Sequence, residues 1–164
     1  MSSPRILVAG VGNVFLGDDG FGVEVVRRLA QRRLPSDVRL VDFGIRGFDL
    51  AYALLDGYES VILVDAARRG GAPGTLYVIE PDPARELPAV ETHGMDPAKV
   101  LELVRVMGGG VKRLRVVGCE PAYLGEDGAC VVGLSEAVRE AVDPAVRMIE
   151  SMFDGLRSGT ADHA

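Results

Sequence analysis

Few residues in this chain are equipped for chemistry: the adjacent acids Asp18 and Asp19, then Asp65, Glu120 and His93, one of only two histidines. Asp18 and Asp19 lie in "GVGNVFLGDDGFGVEVV" (10–26), a glycine-rich turn after a strand-like run. Such turns ordinarily cradle a phosphate at a helix N-terminus. The spacing here argues otherwise, because Phe15 occupies the third glycine slot of a G-x-G-x-x-G pattern begun by Gly10 and Gly12. Two carboxylates at the helix start also repel a pyrophosphate and favour a cation. Gly12 and Asn13 are expected to supply the positive-φ turn that points the acids outward.

The elements that must position these groups follow from periodicity. "RILVAG" (5–10), "VRLVDFG" (38–44), "ESVILVDA" (59–66), "TLYVIE" (75–80) and "RLRVVGCEP" (113–121) read as strands. Helical spacing runs from Gly22 to about Leu34, through Phe48, Ala51 and Leu55, and through Val100, Leu103, Val104 and Met107. A last helical pattern runs from Ser135 through Phe153, with an expected break at Asp143 and Pro144. Asp96 and Pro97 form an N-cap and first-position pair for the third helix. Strands alternating with helices specify an α/β fold with a mostly parallel sheet. The short "GGAPG" turn (70–74) lets 75–80 pair antiparallel at an edge. Residues 81–95, rich in Pro and acids and without periodicity, read as a long loop, and the tail after 156 reads as disordered. The chain reads as one domain over 1–156.

In an open parallel sheet the residues just after each strand meet across a crevice at the carboxyl edge. Asp18 and Asp19 follow the first strand, Asp65 closes the third and Glu120 follows "VVGC". His93 precedes the start of a helix that feeds a parallel strand, and such helices begin at that same edge. Two carboxylates with an imidazole make an oxygen and nitrogen donor set suited to zinc, nickel or ferrous iron. The alternative is that Asp65 merely caps a turn and His93 is an ordinary surface histidine.

Composition limits the partners. A formal net charge of -6 supplies no basic stripe for nucleic acid, and the arginines at 27, 28, 32 and 33 fall on a solvated helix face. No apolar run is long enough to span a bilayer and "MSSPR" is not a secretory signal, so a cytoplasmic protein is expected. Cys119 and Cys130 form no C-x-x-C pair, and Cys119 reads as a small buried hydrophobe. A hydrophobic fraction of 48% with 5% aromatics and no Trp calls for an aliphatic core, as buried parallel sheets have.

Taken in order, "GVGNVFLGDDGFG" (10–22), "DFGIRGFDL" (42–50), "VILVDA" (61–66), "THGMDP" (92–97), "GCEP" (118–121) and "GLS" (133–135) resemble the maturation endopeptidases of nickel-iron hydrogenases. The resemblance implies a three-layer α/β fold and removal of a C-terminal extension from the hydrogenase large-subunit precursor once nickel is loaded. It maps the family's metal-contacting positions onto Asp19, Asp65 and His93, which are also the expected catalytic groups. Some relatives carry glutamate where Asp19 stands, and Asp18 is the fallback ligand. Nickel would arrive with the precursor, held by its thiolates, rather than as a resident cofactor. The "DFGIRGFDL" loop would help to receive the precursor's tail. The resemblance is compatible with a monomer that needs neither membrane nor nucleic acid. Two rivals stand beside it: a precursor-binding chaperone that does not cut, and a Rossmann-type nucleotide-binding protein.

Overall fold

The computed structural model describes residues 5–80 and 97–158. Five strands form one sheet: β1 (Ile6–Val11), β2 (Val38–Gly44), β3 (Ser60–Ala66), β4 (Leu76–Ile79) and β5 (Arg113–Cys119), in the order β2-β1-β3-β5-β4. Every pairing is parallel except β4 with β5. Four helices flank it: α1 (Phe21–Leu29), α2 (Gly47–Leu54), α3 (Pro97–Val106) and α4 (Glu136–Ser158). The α/β fold with an antiparallel edge strand is thus the one the sequence predicts.

β1 and β3 are buried along their whole length because alternate side chains enter two separate cores. Ile6, Val8, Ile62 and Val64 pack with Phe21, Val25 and Leu29 of α1 and with Val138, Val142, Ile149 and Phe153 of α4. Leu7, Ala9, Val61 and Leu63 pack on the opposite face with Leu50 and Leu54 of α2 and Val100 and Val104 of α3. This makes three layers. It also explains why the strands read as continuous apolar runs rather than alternating ones.

Three details depart from the sequence reading. α1 ends at Leu29, not near Leu34, since the chain tightens there into turns closed by Gln31 and Arg32 N–H groups on the carbonyls of Arg28 and Leu29. α4 runs unbroken through Pro144. An interior proline costs a helix about 3 kcal/mol. Ala145, Val146, Ile149, Phe153 and Leu156 continue the stripe begun by Val138 and Val142, and each large buried side chain is worth about 1.5–3 kcal/mol, so burial wins. The same helix takes in Arg157 and Ser158, at the start of the expected tail, because Asp37 holds the Arg157 guanidinium through two contacts of 2.8 Å.

β1 lies between β2 on one side and β3 on the other, so the connections leaving β1 and β2 run to opposite sides. The carboxyl ends of β1 and β3 therefore flank the topological switch point, where open α/β sheets leave a crevice.

Candidate active site

Beyond Val11 the chain must turn back at once to start α1, and two glycines make this possible. Gly12 has φ +131° and Gly17 has φ +60°, and no residue other than glycine has positive φ among those described. The expected share of Asn13 in the positive-φ turn is therefore wrong: its side chain instead builds a local turn, Oδ1 accepting the Phe15 N–H at 2.9 Å. The Gly12 N–H donates to the Gly44 carbonyl at 2.9 Å, which fastens the turn to the end of β2. A Cβ on Gly12 would lie 1.8 Å from the Asp19 carbonyl oxygen and 3.6 Å from Asp65 Oδ1. The backbone of one acid and the carboxylate of the other thus close around this glycine.

Asp19 ends up buried in the 3-10 turn Gly17–Gly20, its Oδ2 accepting the Asn13 N–H at 2.8 Å. The acids point inward rather than outward as the sequence suggested, with Asp18 and Asp19 each only 1% exposed. Asp65 is also buried, and its Oδ1 accepts the Ala66 N–H at 2.8 Å. Burial pushes the Asp65 carboxyl well above the ordinary carboxylate range, and the neighbouring Asp19 charge pushes it further. A positive charge between the two would reverse both effects. The Ala66 contact is the one a turn cap would make, and Asp19 is the second buried acid beside it.

The other two acids at this edge do a different job. Asp18 Oδ1 accepts the Ser135 N–H at 2.7 Å, and Oδ2 accepts from Ala122 N–H at 2.8 Å, Tyr123 N–H at 3.2 Å and the Ser135 hydroxyl at 2.9 Å. Four donors from two distant segments engage this carboxylate, one on Oδ1 and three on Oδ2. It anchors the turn to the start of α4. Glu120 Oε1 accepts from Arg69 N–H at 2.8 Å, Gly71 N–H at 3.0 Å and the Tyr77 hydroxyl at 2.7 Å. Burial opposes its ionisation, yet these donors prevail and hold its pKa below the ordinary value. Glu120 thereby ties the turn after β3 to β4 and β5. Cys119 beside it is fully buried, its thiol pushed up to about 12 by burial and by the Asp18 and Glu120 charges, so it is inert.

The anchoring role of Asp18 is the functional feature that sequence reasoning missed. Its signal was present in the quoted pieces, because "GDD", the residues after "GCEP" and "GLS" are the segments that this one carboxylate joins. His93 and the Asp96 cap lie outside the described residues, as does the loop 81–95. α3 begins at Pro97 and leads into β5, which runs parallel to β3, so this helix starts at the edge that carries Asp19 and Asp65. Among the described residues no three His, Cys, Asp or Glu side chains group to hold a metal.

A glycine-rich phosphate loop is a poor account of this turn. Gly22 serves packing instead, since a Cβ there would lie 2.0 Å from the Val64 carbonyl oxygen and 2.6 Å from that of Val11. The helix start is pressed onto β1 and β3, with buried acids where a phosphate would sit.

Comparison with known proteins gives one consistent answer. A family model described as hydrogenase maturation protease matches residues 23–152, a span that includes Asp65 and His93. The chain is 37% identical over 152 residues to the hydrogenase expression/formation protein HupM of Azotobacter chroococcum, covering 88% of this chain and 69% of that one. It is 32% identical over 151 residues to the hydrogenase 2 maturation protease of Escherichia coli, covering 88% of both. The solved structure of the hydrogenase maturating endopeptidase HybD from E. coli superposes with a TM-score of 0.77 at 32% identity, covering 95% of this chain and 94% of the other. On its sequence, its sheet and its helices, the chain belongs to the hydrogenase maturation protease family.

Proposed function

We propose that this protein cleaves the C-terminal extension from a nickel-iron hydrogenase large-subunit precursor and recognises its substrate through the nickel already held there. The observation that carries the proposal is the buried pair at the switch point. Asp19 and Asp65 share a site in which Asp65 resists ionisation, and a divalent cation would relieve that resistance. Nickel bound by soft thiolates in the precursor retains affinity for oxygen and nitrogen donors, which Asp19, Asp65 and His93 supply. A precursor without nickel offers this pair nothing to bind, so cleavage waits for loading.

In the cutting step a water oxygen attacks the scissile carbonyl carbon, the C–N bond breaks, and the water proton passes to the leaving amine. One of the two aspartates accepts that proton on the way, while the substrate's nickel polarises the carbonyl. No serine or cysteine nucleophile is required. Protein-sized recognition is supported by exposed apolar side chains around the same edge: Phe15 on the site turn, and Ile45 and Phe48 in the "DFGIRGFDL" segment, 57%, 57% and 74% exposed. No helix among the described residues is long and apolar enough to cross a membrane. We place the reaction in the cytoplasm with the protease acting as a monomer.

The test is to incubate the protein with nickel-loaded and nickel-free precursor and follow the precursor's mass. The proposal expects the extension to be lost from the loaded form alone. Equal cutting of both forms would remove nickel from the account, and tight binding with unchanged mass would favour a chaperone. A thermal shift with dinucleotide would support the nucleotide-binding reading instead.

A further inference from the structure

A groove of about 470 Å³ opens beside the site turn, lined by Gly17, Tyr123, Val131, Val132, Leu134 and Arg139 among others. This volume lies within the about 300–1,000 Å³ common for ligand pockets. One wall is sewn to the site turn: the Gly17 N–H donates to the Val131 carbonyl at 2.8 Å, and the Val131 N–H donates to the Phe15 carbonyl at 2.9 Å. Val131 and Val132 are nonetheless 39% and 73% exposed. The groove is therefore apolar along its side and continuous with the turn that carries Asp19.

Arg139 is oddly placed for a structural cation. It stands in the first turn of α4, where the helix dipole disfavours positive charge. Its Nη2 donates to the Leu134 carbonyl at 3.0 Å, and no carboxylate pairs with it among the described residues. Arg28 and Arg32, by contrast, reach across to Asp143 and Glu150 at 2.8 and 2.7 Å. The groove's own acids are engaged elsewhere: Asp18 by four donors, and Asp127 by the Tyr123 hydroxyl and the Ala129 N–H. Arg139 thus offers its charge to something that arrives.

We propose that this groove receives the carboxy-terminal end of the extension being removed, with the free α-carboxylate of that chain on the Arg139 guanidinium. The inference rests on the proteolytic reading above and adds to it where the leaving segment goes. A peptide that ends in the groove supplies a carboxylate to match the cation, which the groove's own acids, held by other donors, do not. Val131, Val132 and Leu134 select apolar side chains before it, and the charges of Asp18 and Asp127 select against acidic ones. The terminal residues of the extension would then fix its register relative to Asp19 and Asp65.

The test uses the wild-type protein with two nickel-loaded precursors, one ending in a free carboxylate and one in a semisynthetic C-terminal amide. Amidation should raise KM about five- to tenfold with little change in kcat, as for loss of a charge-assisted hydrogen bond near the surface. Arg139→Gln should raise KM equally for the free acid and add nothing for the amide, while Arg139→Lys restores part of the difference. Equal KM values for the two precursors with the wild-type protein would overturn the assignment. Failure to cut either precursor would overturn the proteolytic reading, and this inference with it.

Discussion

The two ends of the sheet treat charge in opposite ways. At the amino end, charged residues at the strand starts pair with opposite charges near the surface: Arg5 with Glu59 at 2.6 Å, and Asp37 with Arg157 at 2.8 Å. At the carboxyl end Asp18, Asp19, Asp65 and Glu120 are all buried, and the donors that meet them are largely backbone N–H groups and hydroxyls. The half-exposed Arg5–Glu59 pair contributes little to stability, since water solvates both partners, whereas the two-pronged Asp37–Arg157 pair is largely shielded and contributes more. Buried acids are costly unless fully hydrogen-bonded. Asp18 accepts from four donors and Glu120 from three, which hold Glu120 below the ordinary range, whereas Asp65 is a poor anion beside Asp19. The carboxyl end thus contains two structural acids and, at the switch point, the close pair Asp19 and Asp65 that we propose meets the substrate's metal.

The sharpest way to break this contrast is to remove Asp19 or Asp65. Asp19→Ala or Asp65→Ala should slow precursor cleavage by about a thousandfold or more, roughly 4 kcal/mol of barrier, with the fold intact by circular dichroism. His93→Ala should do the same. Retained cleavage in any of the three would remove that residue from the site. Asp18→Ala should behave differently, leaving four donors unsatisfied and lowering unfolding free energy by about 3 kcal/mol or more in urea titration. A stable Asp18→Ala protein would show that its role as an anchor is overstated.

Acidity sharpens the same comparison with smaller effects. The hydrogen bond from Arg157 holds the Asp37 carboxyl below the ordinary range, so its contribution to stability is present above that range and is lost as pH falls through the folded value. Asp65 has the opposite sign, because burial and Asp19 raise it. Its protonated form suits the fold, and stability is lost as pH rises from the ordinary range through the folded value. In metal-free protein, Asp37→Asn should flatten the acid side of the stability profile, and Asp65→Asn should flatten the decline above it. The smallest expected effect is that of Arg5→Ala, at most about 1 kcal/mol, since both it and Glu59 are about half exposed.

Much of this arrangement is legible in the chain itself, for a physical reason. β1 and β3 carry the unbroken apolar runs that only a doubly covered strand needs, and once they are placed, chain direction puts Asp19 and Asp65 at one edge. What stays hidden depends on distant partners. Nothing local distinguishes Asp18 from Asp19; the distinction comes from donors at 122, 123 and 135, more than 100 residues away. Pro144 looks like a helix breaker until the buried stripe on both sides of it is seen in one core. Gly22 looks like part of a phosphate loop until the Val64 carbonyl is found against it.

Nickel-edge X-ray absorption on the complex of nickel-loaded precursor with this protein, trapped by a non-hydrolysable scissile bond, tests the central claim most directly. Light-atom ligands should join the sulfur shell when the wild-type protein binds, and one should be lost with Asp65→Asn. A sulfur shell identical to that of the free precursor would contradict the account.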